Sequence, residues 1–359
     1  MKLIIFGLTI SSSWGNGHAT LWRGLVRELT RRGHYIVFFE KDVPYYAAHR
    51  DFTEIEGGEL LLYSDFRDAL ARARRHLDDT DVAMVTSYCP DGVAASELVL
   101  NSGHSTRVFY DMDTPVTLEE LRAGHTVSYI KGGGLGEFDL VLSFTGGLAL
   151  SELQSRLNAR YVAPLYGSVD PDIHCPVAPD PRYACDLSYL GTYAHDRQYF
   201  LDLLFLEPAR RLTNKRFVIG GSLYPPDFPW LPNTFYLRHV APGQHPSFYC
   251  SSRLTLNVTR APMVQMGYCP SGRLFEAAAC GAPILSDIWE GLDEFFTPGE
   301  EIILARSTED AISAIELSDT ELARFSRAAR ERVLSSHTAK QRAIELENLL
   351  SRVETGMEA

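Results

Sequence analysis

The residues best suited to chemistry fall into three stretches of the chain. The first, Ser11-Ser12-Ser13-Trp14-Gly15-Asn16-Gly17-His18, ends in a histidine; the second, Tyr110-Asp111-Met112-Asp113-Thr114-Pro115, carries two carboxylates. An imidazole is a base near neutral pH, so His18, oriented by Asp111 or Asp113, could take a proton from a hydroxyl group. Either aspartate could instead bind a sugar hydroxyl, and the spacing of the two would also suit a hard divalent cation. Plainer readings stand beside these: His18 as a helix-start histidine satisfied by backbone, and each aspartate as an N-cap or Asx turn. Gly15 and Gly17, with Trp14 and Asn16 around them, would let a ligand approach the backbone closely. A dinucleotide fingerprint would need a third glycine where Thr20 stands, with Glu40 as its ribose-binding acid, so NAD(P) binding is the weaker option.

The third stretch, Pro270-Ser271-Gly272-Arg273-Leu274-Phe275-Glu276-Ala277-Ala278-Ala279-Cys280-Gly281-Ala282-Pro283, suits a phosphorylated ligand. Ser271 fits an N-cap, and Gly272 leaves the first helical N–H groups unobstructed for phosphate. Arg273 and Glu276 lie three apart on one helical face, a cation for phosphate and a carboxylate for ribose hydroxyls. The plain alternative is an intrahelical pair worth about 0.3–0.5 kcal/mol. Gly191, Thr192 and Arg197 follow one further strand pattern, and Asn257 and Arg260 follow another, as added walls of the same nucleotide-diphosphate site. A solvated side chain is the plain reading of Arg197. The tyrosine and phenylalanine stripes elsewhere read as core.

Such residues converge only if strands bring their carboxyl ends together. Leu3 to Ile10 is a continuous apolar run, as expected of a parallel strand buried on both faces. Leu21, Trp22, Leu25, Val26 and Leu29 then mark one face of a helix over 19–32, stopped at Gly33. Strands are expected at Tyr35–Phe39 and near 81–87, 106–111 and 139–143. Residues 164–182, with Pro164, Pro171, Pro176, Pro179 and Pro181, interrupt the rhythm and suit an exposed linker. A second series follows at Asp186–Gly191, Arg216–Gly220, Phe235–Arg238, Arg253–Val258, Pro283–Ser286 and Glu301–Ala305, with helix from 308 onward. Alternating strands and helices predict doubly wound α/β sheets. The expected division is a Rossmann-like domain over 1–168, a Pro-rich hinge over 169–182, a second Rossmann-like domain over 183–336, and a C-terminal helix over 337–359 packing back on the first.

Composition narrows the function classes. The 359 residues exceed the roughly 250 at which one core stops growing. Lys+Arg 34 against Asp+Glu 46 gives a net charge of −12, which argues against holding nucleic acid by bulk phosphate neutralisation. Six cysteines without a C-x-x-C pair read as free buried thiols. With no 18-residue apolar run and no secretion signal, the chain is expected to be cytoplasmic.

The second half, from Tyr189 to about Ala343, resembles the CgeB-like glycosyltransferases of the GT-B fold through YLGTYAHDRQ, RLTLNVTR and SGRLFEAAACGAPILSDIWEGLDEFFTPGEEI. The stretch WGNGHATLWRGLVRELTRRGHYIVFFE is similar to the first strand–loop–helix of the same enzymes. The resemblance implies two Rossmann-like domains facing each other across a cleft. It gives Glu276 the donor ribose, the N–H groups around Gly272 and Arg273 the diphosphate, and His18 with Asp111 or Asp113 the place of the catalytic base and its partner in inverting members. Retaining members carry an E-x7-E pair, whose first position here is Tyr268, so the stereochemical course stays open. The expected activity is metal-independent transfer of a sugar from a nucleoside diphosphate to a hydroxyl-type acceptor: a carbohydrate, a lipid-linked glycan or a secondary metabolite, and not nucleic acid. No cofactor beyond the nucleotide-sugar co-substrate and no metal ligand is expected. A nucleotide-sugar epimerase on the same scaffold and a non-catalytic nucleotide-sugar binding protein are the alternatives. Base, sugar, acceptor, pathway and oligomeric state are not legible in the sequence.

Overall fold

Short apolar runs ending at glycine or polar turns make up the strands, as buried parallel pairing requires. In the computed structural model, which describes residues 1–103 and 105–356, they form two sheets in two units. The first unit is Met1–Gly167 with the C-terminal stretch from Ala339; the second is Ser168–Thr338. The last three residues of the expected C-terminal helix lie outside the described residues.

In the first unit the strands are β1 Lys2–Gly7, β2 Tyr35–Lys41, β3 Gly58–Tyr63, β4 Val82–Thr86, β5 Thr106–Asp111, β6 Leu140–Ser143 and β7 Val162–Pro164. They pair in parallel in the order β3-β2-β1-β4-β5-β6-β7. Helix His18–Arg31 buries Trp22, Leu25, Val26 and Leu29, and Trp22 meets Phe38 and Tyr110 edge to face. Helix Ala339–Glu354 belongs to the same unit. Its Glu347 binds Arg32 at 2.5 Å and His34 at 2.6 Å, and Arg342 donates to the carbonyls of Tyr166 and Gly167.

β1 ends at Gly7 rather than Ile10 because Glu40 claims the residues beyond it. That carboxylate, fully buried at the end of β2, accepts from Thr9 Oγ1 (2.8 Å), Ile10 N (2.8 Å), Ser11 N (3.0 Å) and Ser11 Oγ (2.5 Å). Both its oxygens are thus spent on shaping the loop that leads to His18. This corrects the reading of Glu40 as a ribose-binding acid and removes the basis for NAD(P) binding.

The second unit holds β8 Leu187–Leu190, β9 Phe217–Gly220, β10 Thr234–Leu237, β11 Thr255–Asn257, β12 Ile284–Ser286 and β13 Ile303–Leu304, parallel in the order β10-β9-β8-β11-β12-β13. Leu204, Phe205, Phe217, Leu254 and Leu256 are among its core residues. Residues 168–182, expected as an exposed linker, belong to this unit and are exposed over much of their length, but contacts with the unit pin them at several points. Val177 N donates to Cys250 Sγ (3.3 Å), Asp180 N to Ser251 Oγ (2.7 Å), and His174 is 1% exposed. Pro176, Pro179 and Pro181 are exposed, and the segment's burial is confined to residues such as Val169, Asp170 and His174. Tyr199, Phe235 and Tyr236 are exposed, against the expectation of core. The cysteines are free; Cys89, Cys269 and Cys280 are buried, whereas Cys175, Cys185 and Cys250 are only partly so. Among the described residues no helix is long and apolar enough to cross a membrane.

In each sheet the strand order reverses direction once, at β1/β4 and at β8/β11. In open parallel sheets, loops leaving the carboxyl ends on either side of such a point diverge and open a ligand crevice.

Candidate functional site

The reversal point of the second sheet gathers most of the residues expected around a diphosphate. Helix Gly272–Ala279 opens at Ser271, which has the extended backbone of an N-cap but makes no side-chain capping bond. The first N–H groups of such a helix lack intrahelical acceptors and carry the positive end of its dipole. Arg273 leaves the helix toward the sheet, where Nε donates to the Leu190 carbonyl and Nη1 to Asn257 Oδ1 at 2.8 Å. One guanidinium therefore bridges the carboxyl ends of β8 and β11, with its plane over the Tyr189 ring at 4.9 Å. Its Nη2 lies against Gly191, at 2.7 Å from where a Cβ would stand. Arg197 donates to the Thr192 carbonyl at 3.0 Å, and Arg260 is paired with Asp196 at 3.0 Å. Gly191, Thr192, Arg197, Asn257 and Arg273 thus come together, whereas Arg260 is held by a partner that the sequence did not suggest.

Glu276 does not pair with Arg273, so the expected plain alternative of an intrahelical pair is not what forms. Its carboxylate is buried and faces two imidazoles: His245 Nδ1 lies 3.3 Å from Oε2 and His174 Nε2 lies 3.8 Å from Oε1. Burial alone would push this carboxyl up, but the two facing imidazoles and the Arg273 guanidinium outweigh it and hold the group down at about 2. His174 is driven the other way, its pKa lowered chiefly by burial. Asp287, just past β12, accepts from Thr259 N (2.9 Å) and Thr259 Oγ1 (3.0 Å), and burial raises its pKa. Sequence reasoning missed Asp287, His174 and His245. The first follows a strand just as Asn257 does and could have been found by the same rule. His174 was hidden in the segment read as linker.

The reversal point of the first sheet holds the other group. Asn16 Oδ1 accepts from His18 N at 3.0 Å, starting the helix; Gly15 takes a positive φ of 61° in the preceding turn, and Trp14 stacks on His49. His18 Nε2 lies 3.3 Å from Asp113 Oδ2, and its Nδ1 is buried without a hydrogen-bond partner. The two aspartates separate in role. Asp113 stands at the N-cap position of helix Thr114–Arg122 without capping it, leaving its carboxylate for His18. Asp111 is fully buried, accepts from Asp113 N at 3.1 Å, and is pushed up to about 6 by that burial. The plain Asx reading therefore describes Asp111, and Asp113 is the one aspartate of the pair that meets the imidazole.

Comparison with known proteins agrees with this architecture. The family model described as "Glycosyl transferase-like" matches residues 197–348. No curated protein matches the chain significantly in sequence. Among solved structures, the sucrose-phosphate synthase of Thermosynechococcus elongatus aligns with a TM-score of 0.69 at 12% identity, covering 99% of this chain and 100% of its own. An alpha-glucosyltransferase in complex with UDP-glucose and DNA aligns with a TM-score of 0.70 at 13% identity, covering 98% and 99%. HepE of Anabaena, in complex with UDP and glucose, aligns with a TM-score of 0.66 at 12% identity, covering 98% and 99%. The fold is therefore GT-B, two Rossmann-like parallel sheets in one chain.

Proposed function

We propose that this protein transfers a sugar from a nucleoside diphosphate to a hydroxyl-bearing acceptor. The observation that carries the reading is Arg273, which spans the carboxyl ends of β8 and β11 beside Gly191 at the start of helix Gly272–Ala279. A guanidinium and a helix N-terminus at one reversal point form a place for a diphosphate. The family match over the same unit and the UDP named with two structural neighbours favour a uridine nucleotide as the first donor to test.

On this reading the sugar–oxygen bond breaks with its electron pair going to the diphosphate, so one further negative charge develops on the terminal phosphate's oxygens as the acceptor oxygen bonds the sugar. Arg273, Arg197 and the helix N–H groups stabilise that charge, so a hard cation is not required there. Added Mg²⁺ or Mn²⁺ is expected to leave the transfer rate unchanged; a rate that rises from near zero on their addition would instead place a cation at the diphosphate. Glu276 takes the ribose hydroxyls. His18 accepts the acceptor's proton, with Asp113 holding the imidazole through Nε2. The acceptor is a hydroxyl compound rather than DNA, consistent with the net charge of −12.

The test is release of nucleoside diphosphate from a panel of nucleotide sugars, with candidate acceptors added. His18→Ala is expected to lower turnover by about 10²–10⁴-fold, the usual loss for a general base, with donor affinity little changed. A folded variant with near-normal turnover removes His18 from the mechanism. Conversion of donor without acceptor to an epimeric sugar would identify an epimerase, and saturable donor binding with no turnover would identify a binding protein.

A further inference from the structure

The cluster around Glu276 contains lone pairs that its own groups cannot satisfy. His245, the first residue of helix His245–Cys250, places Nε2 at 3.2 Å from the Val240 carbonyl oxygen. A carbonyl only accepts, so this contact takes a proton on Nε2, and in the neutral ring Nδ1 is then a lone pair. That lone pair lies 3.3 Å from Glu276 Oε2, itself an acceptor, and Nδ1 makes no hydrogen bond. His174 is 1% exposed, neither of its ring nitrogens makes a hydrogen bond, and its Nε2 lies 3.8 Å from Glu276 Oε1. One ligand atom from each of the three residues lies within 4.8 Å of the other two. Acceptors buried face to face repel unless positive charge sits among them. A shared proton satisfies one pair; a cation at the centre satisfies all three.

We propose that His174, His245 and Glu276 bind a divalent transition-metal ion of the Zn²⁺ class. Two imidazoles and one carboxylate form a donor set suited to zinc and its neighbours in the first transition row, not to Mg²⁺ or Ca²⁺, which favour all-oxygen shells. Zinc bonds of about 2.0–2.2 Å in a tetrahedral arrangement separate ligand atoms by about 3.3–3.6 Å. The histidine–carboxylate separations, 3.3 and 3.8 Å, lie at the lower edge of that range and just above it, and with all three ligand atoms within 4.8 Å of one another the side chains complete the site by drawing together by up to about 1.5 Å. The Val240 carbonyl supplies the outer contact that orients His245, as metal-bound imidazoles ordinarily require. A carboxylate has about four lone-pair sites, so Glu276 can hold the ion and still accept from a ribose hydroxyl; the ion would join the Pro-rich segment carrying His174 to the two helices carrying His245 and Glu276, all within the second unit.

The test needs no nucleotide, so it is independent of the donor reading. The full-length protein is stripped with a chelator, dialysed, and titrated with Zn²⁺ against a chromophoric competitor. One equivalent is expected to bind, with His174→Ala and His245→Ala each weakening it by at least about 100-fold. Cys250→Ser is expected to leave binding unchanged, which separates the site from the nearby thiols Cys175, Cys250 and Cys280. Wild-type protein loaded with Co²⁺ should show visible d–d absorption without a thiolate charge-transfer band, a readout that stands even if a histidine variant fails to fold. Absence of stoichiometric binding, full affinity in both histidine variants, loss of affinity in Cys250→Ser, or a thiolate band would each overturn the proposal.

Discussion

Asp111 and Asp113 differ by two positions and by almost everything else. Asp113 reaches His18, while Asp111 is sealed among Ser87, Thr117 and the backbone of its own turn. Burial pushes Asp111 up to about 6 from 3.8, so the folded protein holds its proton after the unfolded chain has released it. Stability from this group is fully present below about pH 4 and is lost as pH rises through about 6, by up to about 3 kcal/mol. Asp111→Asn should therefore gain on the wild type between pH 4 and pH 7 in urea unfolding; a pH-independent difference between the two would show that Asp111 is ionised in the fold. The sequence marked both aspartates correctly as strand-edge acids. It could not divide their roles, because that depends on which side chain the turn after β5 directs inward. His174 escaped for a related reason: burial of single residues within an irregular segment leaves no periodic trace.

At the scale of elements, the main strands and the first helix were legible because uninterrupted apolar runs and a 3.6-residue period are read directly from residue type. β3 and β7 were not expected. β3, Gly58–Tyr63, carries only one fully buried residue, and β7 is three residues ending in Pro164, which suits a sheet edge. Nor does composition show that Glu40 would truncate β1. The C-terminal helix Ala339–Glu354 is fastened through Glu347, whose carboxyl is held at about 2, first by the Arg32 hydrogen bond, against a burial effect that raises it, and then by His34. With the folded value below the unfolded 4.5, this stabilisation is present above about pH 4.5 and fades as pH falls toward 2. Glu347→Gln should cost about 1–2 kcal/mol at pH 7, discounted for partial solvent screening, with the gap to wild type narrowing below pH 4.5. An undiminished gap at low pH would assign the loss to packing instead.

For the molecule as a whole, two parallel sheets with one order reversal each were predictable from alternating strands and helices, and the candidate sites lie at those reversals, where loops diverge. The stretch proposed for the donor stands out in the sequence because Ser271, Gly272, Arg273 and Glu276 are close together in it. The contacts of Arg273 with Leu190 and Asn257 were not, since they join separate strands through folding alone. If this reversal point holds a nucleoside diphosphate, calorimetric titration of UDP should give saturable one-to-one binding by the wild-type protein, and a weakening of about 10–100-fold in an Arg273→Ala variant that still melts cooperatively, equivalent to losing one charge-assisted contact of about 1.5–3 kcal/mol. Equal affinity in the two proteins, or no binding of UDP or any other nucleoside diphosphate by the wild type, would contradict it.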